Sequence, residues 1–319
     1  MTLATAIALN GCGPEPPAED SPPADDALQV VATTTQIADF VRAVGGDKVT
    51  VTQLLKPNAS PHEYEPTPAA IDAIGRSTLM FKNGVGLEGE WLDKIIRASG
   101  FDGETVDTSR GVPLLEGEYD RHHGHEDEEE HHAHEGHGEH LRDPHIWHNP
   151  QNAKLMSENI GRALIEADPG HKAHYRDGYT AYGSRLDALD KGIERRFDAI
   201  PEKERKFVTT HDAFGYYVER YNLTFVGAVI PDFSDQAELS GAQLDALVGK
   251  IKDADVRVVF GESSLPPKAA QSIAREAGVQ VVAGENALYS DALGQKGSPG
   301  ETYLKAMEFN TDTIVEALS

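Results

Sequence analysis

From Leu28 onward, short β-branched runs alternate with stretches whose apolar residues recur every three or four positions. Leu28–Thr34 (LQVVATT), Val49–Leu54 and Thr78–Lys82 read as strands. Gln36–Val44, the stretch from Thr67-Pro68 to about Arg76, and Glu88–Ala98 read as helices, the second with proline at its first position. The pattern restarts after residue 200. Strands are expected at Lys206–Thr210, Leu223–Ile230, Val256–Gly261 and Val279–Val282, and helices at Ala213–Tyr221, Pro267–Ala277 and Thr302–Leu318. Another helix, running to about Lys252, opens on the capping box Ser240-Gly241-Ala242-Gln243. Such alternation predicts α/β architecture with mainly parallel sheets, in two Rossmann-like lobes spanning 28–168 and 201–319. Between them, after Pro169-Gly170, Tyr175, Tyr179, Tyr182, Leu186, Leu189, Ile193 and Phe197 form one apolar stripe. That stripe predicts a single long helix from His171 to Ala199 within the segment 169–200, a rigid strut joining the lobes. Gly178, Gly183 and Gly192 lie off the stripe and weaken its propensity by roughly 1 kcal/mol each, so packing must hold it.

The net charge of -24 over 319 residues excludes a nucleic-acid face, which needs clustered Lys and Arg. Much of that charge sits in two segments, 13–27 and 116–140, which hold 15 acidic residues and one basic one, Arg121. No apolar run is long enough to span a bilayer. The single cysteine, Cys12, follows the short apolar run Leu3–Leu9 in the context Leu9-Asn10-Gly11-Cys12, which resembles a bacterial lipoprotein signal. Residues 1–12 are therefore expected to be the signal, with Cys12 as the lipidated terminus. Residues 13–27 (GPEPPAEDSPPADDA) are expected to be a disordered tether. A chain so processed would be extracytoplasmic, either membrane-anchored or periplasmic.

Between His122 and His140 lie eight of the chain's 14 histidines, interleaved with Glu126, Asp127, Glu128, Glu129, Glu130, Glu135 and Glu139. Imidazole and carboxylate are ligands for borderline divalent cations. A run this polar cannot bury a core, so 116–142 is expected to be a loop that collects metal loosely. Four further segments place one potential ligand each beside a strand or helix end. They are His62 in Pro57–Pro66, His145 in Asp143-Pro144-His145-Ile146-Trp147, His211 in Thr209–Tyr216, and Asp291 in Leu288–Gly294. Loops at the carboxyl ends of parallel strands converge. Two residues from each lobe thus point to a site in the cleft. A lone histidine in any one segment would more often be structural. His148 is a weaker candidate ligand; Glu63 and Glu65 are expected to hydrogen-bond or face solvent, and Glu262 to orient an imidazole.

Gly84-Val85-Gly86-Leu87-Glu88-Gly89 is formally a GxGxxG, with Asp107 downstream, but it follows the third predicted strand rather than the first. No GxSxG and no HExxH is present. The candidate ligands are compatible with three functions: a non-enzymatic binding protein that captures a divalent ion, a zinc hydrolase, and a metal-storing adhesin. Hydrolysis needs an open coordination position and a general base, whereas four protein ligands close a site.

The segments PNASPHEYEPTP, NGVGLEGEWLDK, DPHIWHNP, HDAFGYYVERYNL and LYSDALG together resemble the metal-specific solute-binding proteins of bacterial ABC importers for zinc and manganese. The likeness extends over essentially all of 28–319. It implies a monomeric carrier that is not an enzyme, with one metal ion bound in a cleft between two lobes joined by a long helix. It also implies delivery to an ABC permease in the membrane. By resemblance His62, His145, His211 and Asp291 are the ligands. Three imidazoles and a carboxylate suit Zn(2+), whereas Mn(2+) prefers more oxygen. Manganese sites of the family often carry a carboxylate where this chain has His211. Zinc is the expected cargo, with manganese or iron as the alternative.

Overall fold

The computed structural model describes residues 27–62, 64–115, 142–230, 233 and 240–319. The expected signal, nearly all of the tether, Cys12, the histidine-rich segment and Glu63 lie outside the described residues.

Two parallel four-stranded sheets with flanking helices form the two lobes. In the first, β1 (Leu28–Ala32), β2 (Val49–Gln53), β3 (Leu79–Lys82) and β4 (Glu104–Asp107) run in the order β2-β1-β3-β4. In the second, β5 (Lys206–His211), β6 (Thr224–Ile230), β7 (Val258–Phe260) and β8 (Gln280–Val282) repeat the order as β6-β5-β7-β8. The central strands β1, β3 and β7 are mainly apolar because helices cover both faces. The helices are α1 (Thr35–Gly45), α2 (Pro68–Gly75), α3 (Gly89–Ser99), α4 (Pro150–Ala167), α5 (Lys172–Asp198), α6 (Gly215–Tyr221), α7 (Gly241–Asp253), α8 (Lys268–Ala277) and α9 (Tyr303–Leu318).

Local sequence explains the boundaries. Thr34 caps α1 by accepting from the Ile37 amide, and α1 buries Ile37, Ala38, Phe40, Val41 and Val44. Ser240 and Gln243 close the expected capping box on α7. Two elements depart from the sequence pattern. β4 is a short edge strand, and α4 follows the Asn149-Pro150 cap with Ala153, Met156, Ile160 and Leu164 buried.

The linking helix is α5, 27 residues long and about 40 Å at 1.5 Å per residue, entered through a 3-10 turn at Pro169–His171. It packs along α4 and against α1, α6 and α9. Tyr175, Tyr182, Leu186, Leu189, Ile193 and Phe197 are buried as the stripe predicts. Gly178 is not merely tolerated: a Cβ there would come 2.2 Å from the Val44 carbonyl oxygen, so its absence lets α1 and α5 approach. One apolar core runs unbroken from Val30 and Phe40 through Met156 and Leu186 to Phe207 and Met307. The strut is thus part of a core shared by both lobes. Among the described residues no helix is long and apolar enough to cross a membrane.

Candidate metal centre

The carboxyl ends of both sheets face the same region. His62 stands in the loop after β2, where its amide donates to Ser60 Oγ (3.2 Å) and Trp91 Nε1 holds the Pro61 carbonyl (3.0 Å). His145 follows Asp143-Pro144, whose geometry is fixed from three sides. Asn83 Nδ2 donates to the Pro144 carbonyl (3.0 Å), Tyr216 Oη donates to the Asp143 carbonyl (3.1 Å), and Asp143 Oδ1 accepts from the His145 amide (2.9 Å). His211 is the last residue of β5, and Asp291 lies in the loop after β8.

These four side chains come together. One ligand atom from each lies within 4.8 Å of the others; His145, His211 and Asp291 are fully buried and His62 is half-buried. The imidazole centroids are separated by 5.5 Å (His62–His145), 6.2 Å (His62–His211) and 5.4 Å (His145–His211). Asp291 Oδ1 sits 3.5 Å from His145 Nε2 and 3.3 Å from His211 Nε2. Yet both of those nitrogens and both Asp291 oxygens are buried without a well-aligned hydrogen bond. The atoms aim at a common centre rather than at one another. Unpaired polar atoms at such depth are costly, and a divalent cation at that centre would satisfy them together.

The far nitrogens are held by carboxylates. His145 Nδ1 lies 2.8 Å from Asp143 Oδ1, and His211 Nδ1 lies 2.5 Å from Glu262 Oε2, whose Oε1 accepts from the His211 amide at 2.8 Å. Each carboxylate keeps the proton on Nδ1 and leaves the Nε2 lone pair for a metal. Glu262 thus has the orienting position expected from sequence. Asp143 is a further member of the same kind, signalled by an Asp two residues before a ligand histidine. Charge follows the same logic. Burial disfavours a charged His145, but the Asp143 and Asp291 carboxylates push it up to about 9. Burial likewise opposes charge on His211, yet Asp291 and Glu262 hold it well above the usual histidine range. Against its own burial, Asp291 is kept well below the carboxylate range by the imidazoles of His211, His145 and His62.

Other candidates stay outside the group. His148 is buried against Phe214 (4.4 Å between ring centroids) and Trp147 (5.5 Å), not among the converging four. Burial and the neighbouring His145 depress it to about 3. Glu65 is exposed, as expected. In the GxGxxG turn, buried Glu88 accepts from the Asn83 and Gly84 amides (2.6 and 3.1 Å) and from Thr33 Oγ1 (2.7 Å). Those amides, which a pyrophosphate would need, are already engaged.

Two α/β lobes with a largely buried cluster of three imidazoles and one carboxylate between them define a solute-binding protein for a divalent metal ion. Residues 30–317 match the family described as zinc-uptake complex component A, periplasmic (ZnuA), and the chain belongs to that family. The metal ABC transporter substrate-binding lipoprotein SsaB of Streptococcus sanguinis is 30% identical over 298 residues, covering 92% of this chain and 89% of that protein. The manganese ABC transporter substrate-binding lipoprotein scaA of Streptococcus gordonii is 29% identical over 326 residues, covering 100% of this chain and 97% of that protein. The periplasmic zinc-binding protein TroA of Treponema pallidum matches with a TM-score of 0.79 and 26% identity, covering 92% of this chain and 99% of that one. The chain is the extracytoplasmic substrate-binding component of a metal ABC importer and not an enzyme.

Proposed function

We propose that the cargo is zinc, held by His62, His145, His211 and Asp291 and handed to the importer's membrane permease. The observation that carries this is the donor set: three imidazoles and one carboxylate whose ligand atoms lie within 4.8 Å of one another. Zinc accepts four ligands of this kind in tetrahedral array, whereas manganese favours more oxygen donors and a higher coordination number. A second reading, manganese, is favoured by the name of the relative from Streptococcus gordonii. Affinity alone does not separate the two, because zinc outcompetes manganese at almost any nitrogen-rich site. Growth does. A strain lacking the protein should fail when zinc is chelated, and recover with added zinc or with the intact chain but not with His211→Ala. Recovery with manganese and not with zinc would overturn the assignment.

Two parts of the proposal rest on residues outside those described. Cys12 would carry the lipid anchor, and the acidic tether 13–27 would let a monomeric carrier stay close to the permease. The eight histidines of 122–140 would gather zinc weakly beside the tight site. Cys12→Ala should move the protein from the membrane to the soluble fraction; retention would exclude the anchor.

A further inference from the structure

Among the described residues, the Asp291 carboxylate oxygens meet the imidazoles of the cluster, so its position depends on how the backbone around it is held. Hydrogen bonds from the second lobe reach as far as Tyr289: its amide donates to Asn310 Oδ1 (2.8 Å), its carbonyl accepts from Asn310 Nδ2 (2.7 Å), and a hydroxyl contact joins Ser264 to Ser290 (3.3 Å). The backbone groups of Ser290 and Leu293 are held from the first lobe. The Ser290 carbonyl accepts from Trp147 Nε1 (3.1 Å) and Gln36 Nε2 (3.4 Å). The Leu293 amide donates to Thr35 Oγ1 (2.8 Å), and the Leu293 carbonyl accepts from the Asn58 amide (3.1 Å). Thr35 Oγ1 donates to Gln36 Oε1 (2.9 Å), which turns its lone pair toward Leu293. Thr35 and Gln36 are themselves almost fully buried.

We propose that Thr35 and Gln36, at the start of α1, are positioning residues for Asp291: they clamp the backbone on both sides of it and so set the fourth ligand from the first lobe. Asn58 and Trp147 add to the clamp from the His62 and His145 loops. Asp291 is encoded with the second lobe but registered against the first, so His62, His145 and Asp291 share one frame. His211, fixed to Glu262 and the second sheet, completes it. The inference rests on the four-ligand reading above.

The test is a double-mutant cycle on the full chain, with cobalt(II) as the probe and its affinity read from the intense d–d absorption of a four-coordinate site. Thr35→Val keeps the side-chain shape but leaves the buried Leu293 amide without an acceptor. It should lower affinity about tenfold, the range for groups that orient a ligand, and Thr35→Ser should restore it. In an Asp291→Asn background, where the positioned carboxylate is gone, Thr35→Val should cost less than about threefold, because residues acting through one another are not additive. Unchanged affinity in Thr35→Val, or an equal loss in both backgrounds, would overturn the clamp. If Thr35→Val does not melt cooperatively, Gln36→Leu carries the same cycle. Undiminished affinity in Asp291→Asn alone would instead refute the ligand assignment.

Discussion

Glu262→Gln is the sharpest probe of how the second lobe supports its ligand. Glu262 is 2% exposed and both its oxygens are committed, Oε1 to the His211 amide at 2.8 Å and Oε2 to His211 Nδ1 at 2.5 Å. Glutamine keeps the shape but offers one acceptor where two donors arrive. Whichever way the amide turns, an N–H faces either the backbone N–H or the imidazole Nδ1–H. Losing such an orienting contact costs 10–100-fold in metal affinity, or about 1.4–2.7 kcal/mol. A second effect opposes the first. Burial resists charge on His211, but Asp291 and Glu262 hold it well above the usual histidine range, so protons compete with metal there. Removing the Glu262 charge weakens that competition, and the defect should therefore narrow as pH falls. Zinc affinity measured against a chelator at pH 8 and pH 6 reads both effects. Affinity within twofold of the parent at pH 8, in a variant with parental melting, would refute the orienting role.

Metal binding should release about two protons at pH 7. Carboxylates push His145 up to about 9 despite burial and hold His211 well above the usual histidine range, so both favour the protonated form, and each must be neutral to ligate. Apparent affinity should then rise with pH toward 9, and calorimetry in buffers of different ionisation enthalpy counts the protons; zero release would contradict the charge state. Gly178→Ala should destabilise the fold although alanine is the better helix former by about 1 kcal/mol. The added Cβ would lie 2.2 Å from the Val44 carbonyl oxygen, and such overpacking costs roughly 1–3 kcal/mol; a raised midpoint in chemical denaturation would show that α1 and α5 can separate freely. Deleting Arg121–His140 should abolish weak zinc binding and leave one tight equivalent, with loss of the tight site counting against a centre built from the folded lobes.

The two-lobe fold was legible because most buried strands are compact apolar runs and nearly every helix carries its own cap or stripe. The identical strand order of the two sheets was not, since it is a repeat of pattern and not of residues. β4 (Glu104–Asp107) escaped notice because an edge strand needs little apolar content, and Val106 supplies nearly all of it. α4 did have signals, the Asn149-Pro150 cap and the Ala153, Met156, Ile160, Leu164 stripe, but they adjoin the Asp143–His148 ligand motif and Gly161 interrupts their face. Gly161 is there because a Cβ would lie 2.3 Å from the Tyr179 ring, a contact visible only in three dimensions. The convergence of His62, His145, His211 and Asp291 was legible through motif resemblance, and the position of Glu262 through its place after a strand. The Thr35–Gln36 clamp on Asp291 joins residues more than 250 positions apart, and nothing in local sequence announces it.

The most direct measurement is anomalous diffraction at the zinc edge from crystals of the zinc-loaded protein. One dominant peak is expected at the point shared by His62, His145, His211 and Asp291, with about 2.0–2.1 Å to the three imidazole nitrogens and 2.0–2.2 Å to a carboxylate oxygen. A dominant peak elsewhere, or one from which any of the four side chains has turned away, would contradict the assignment.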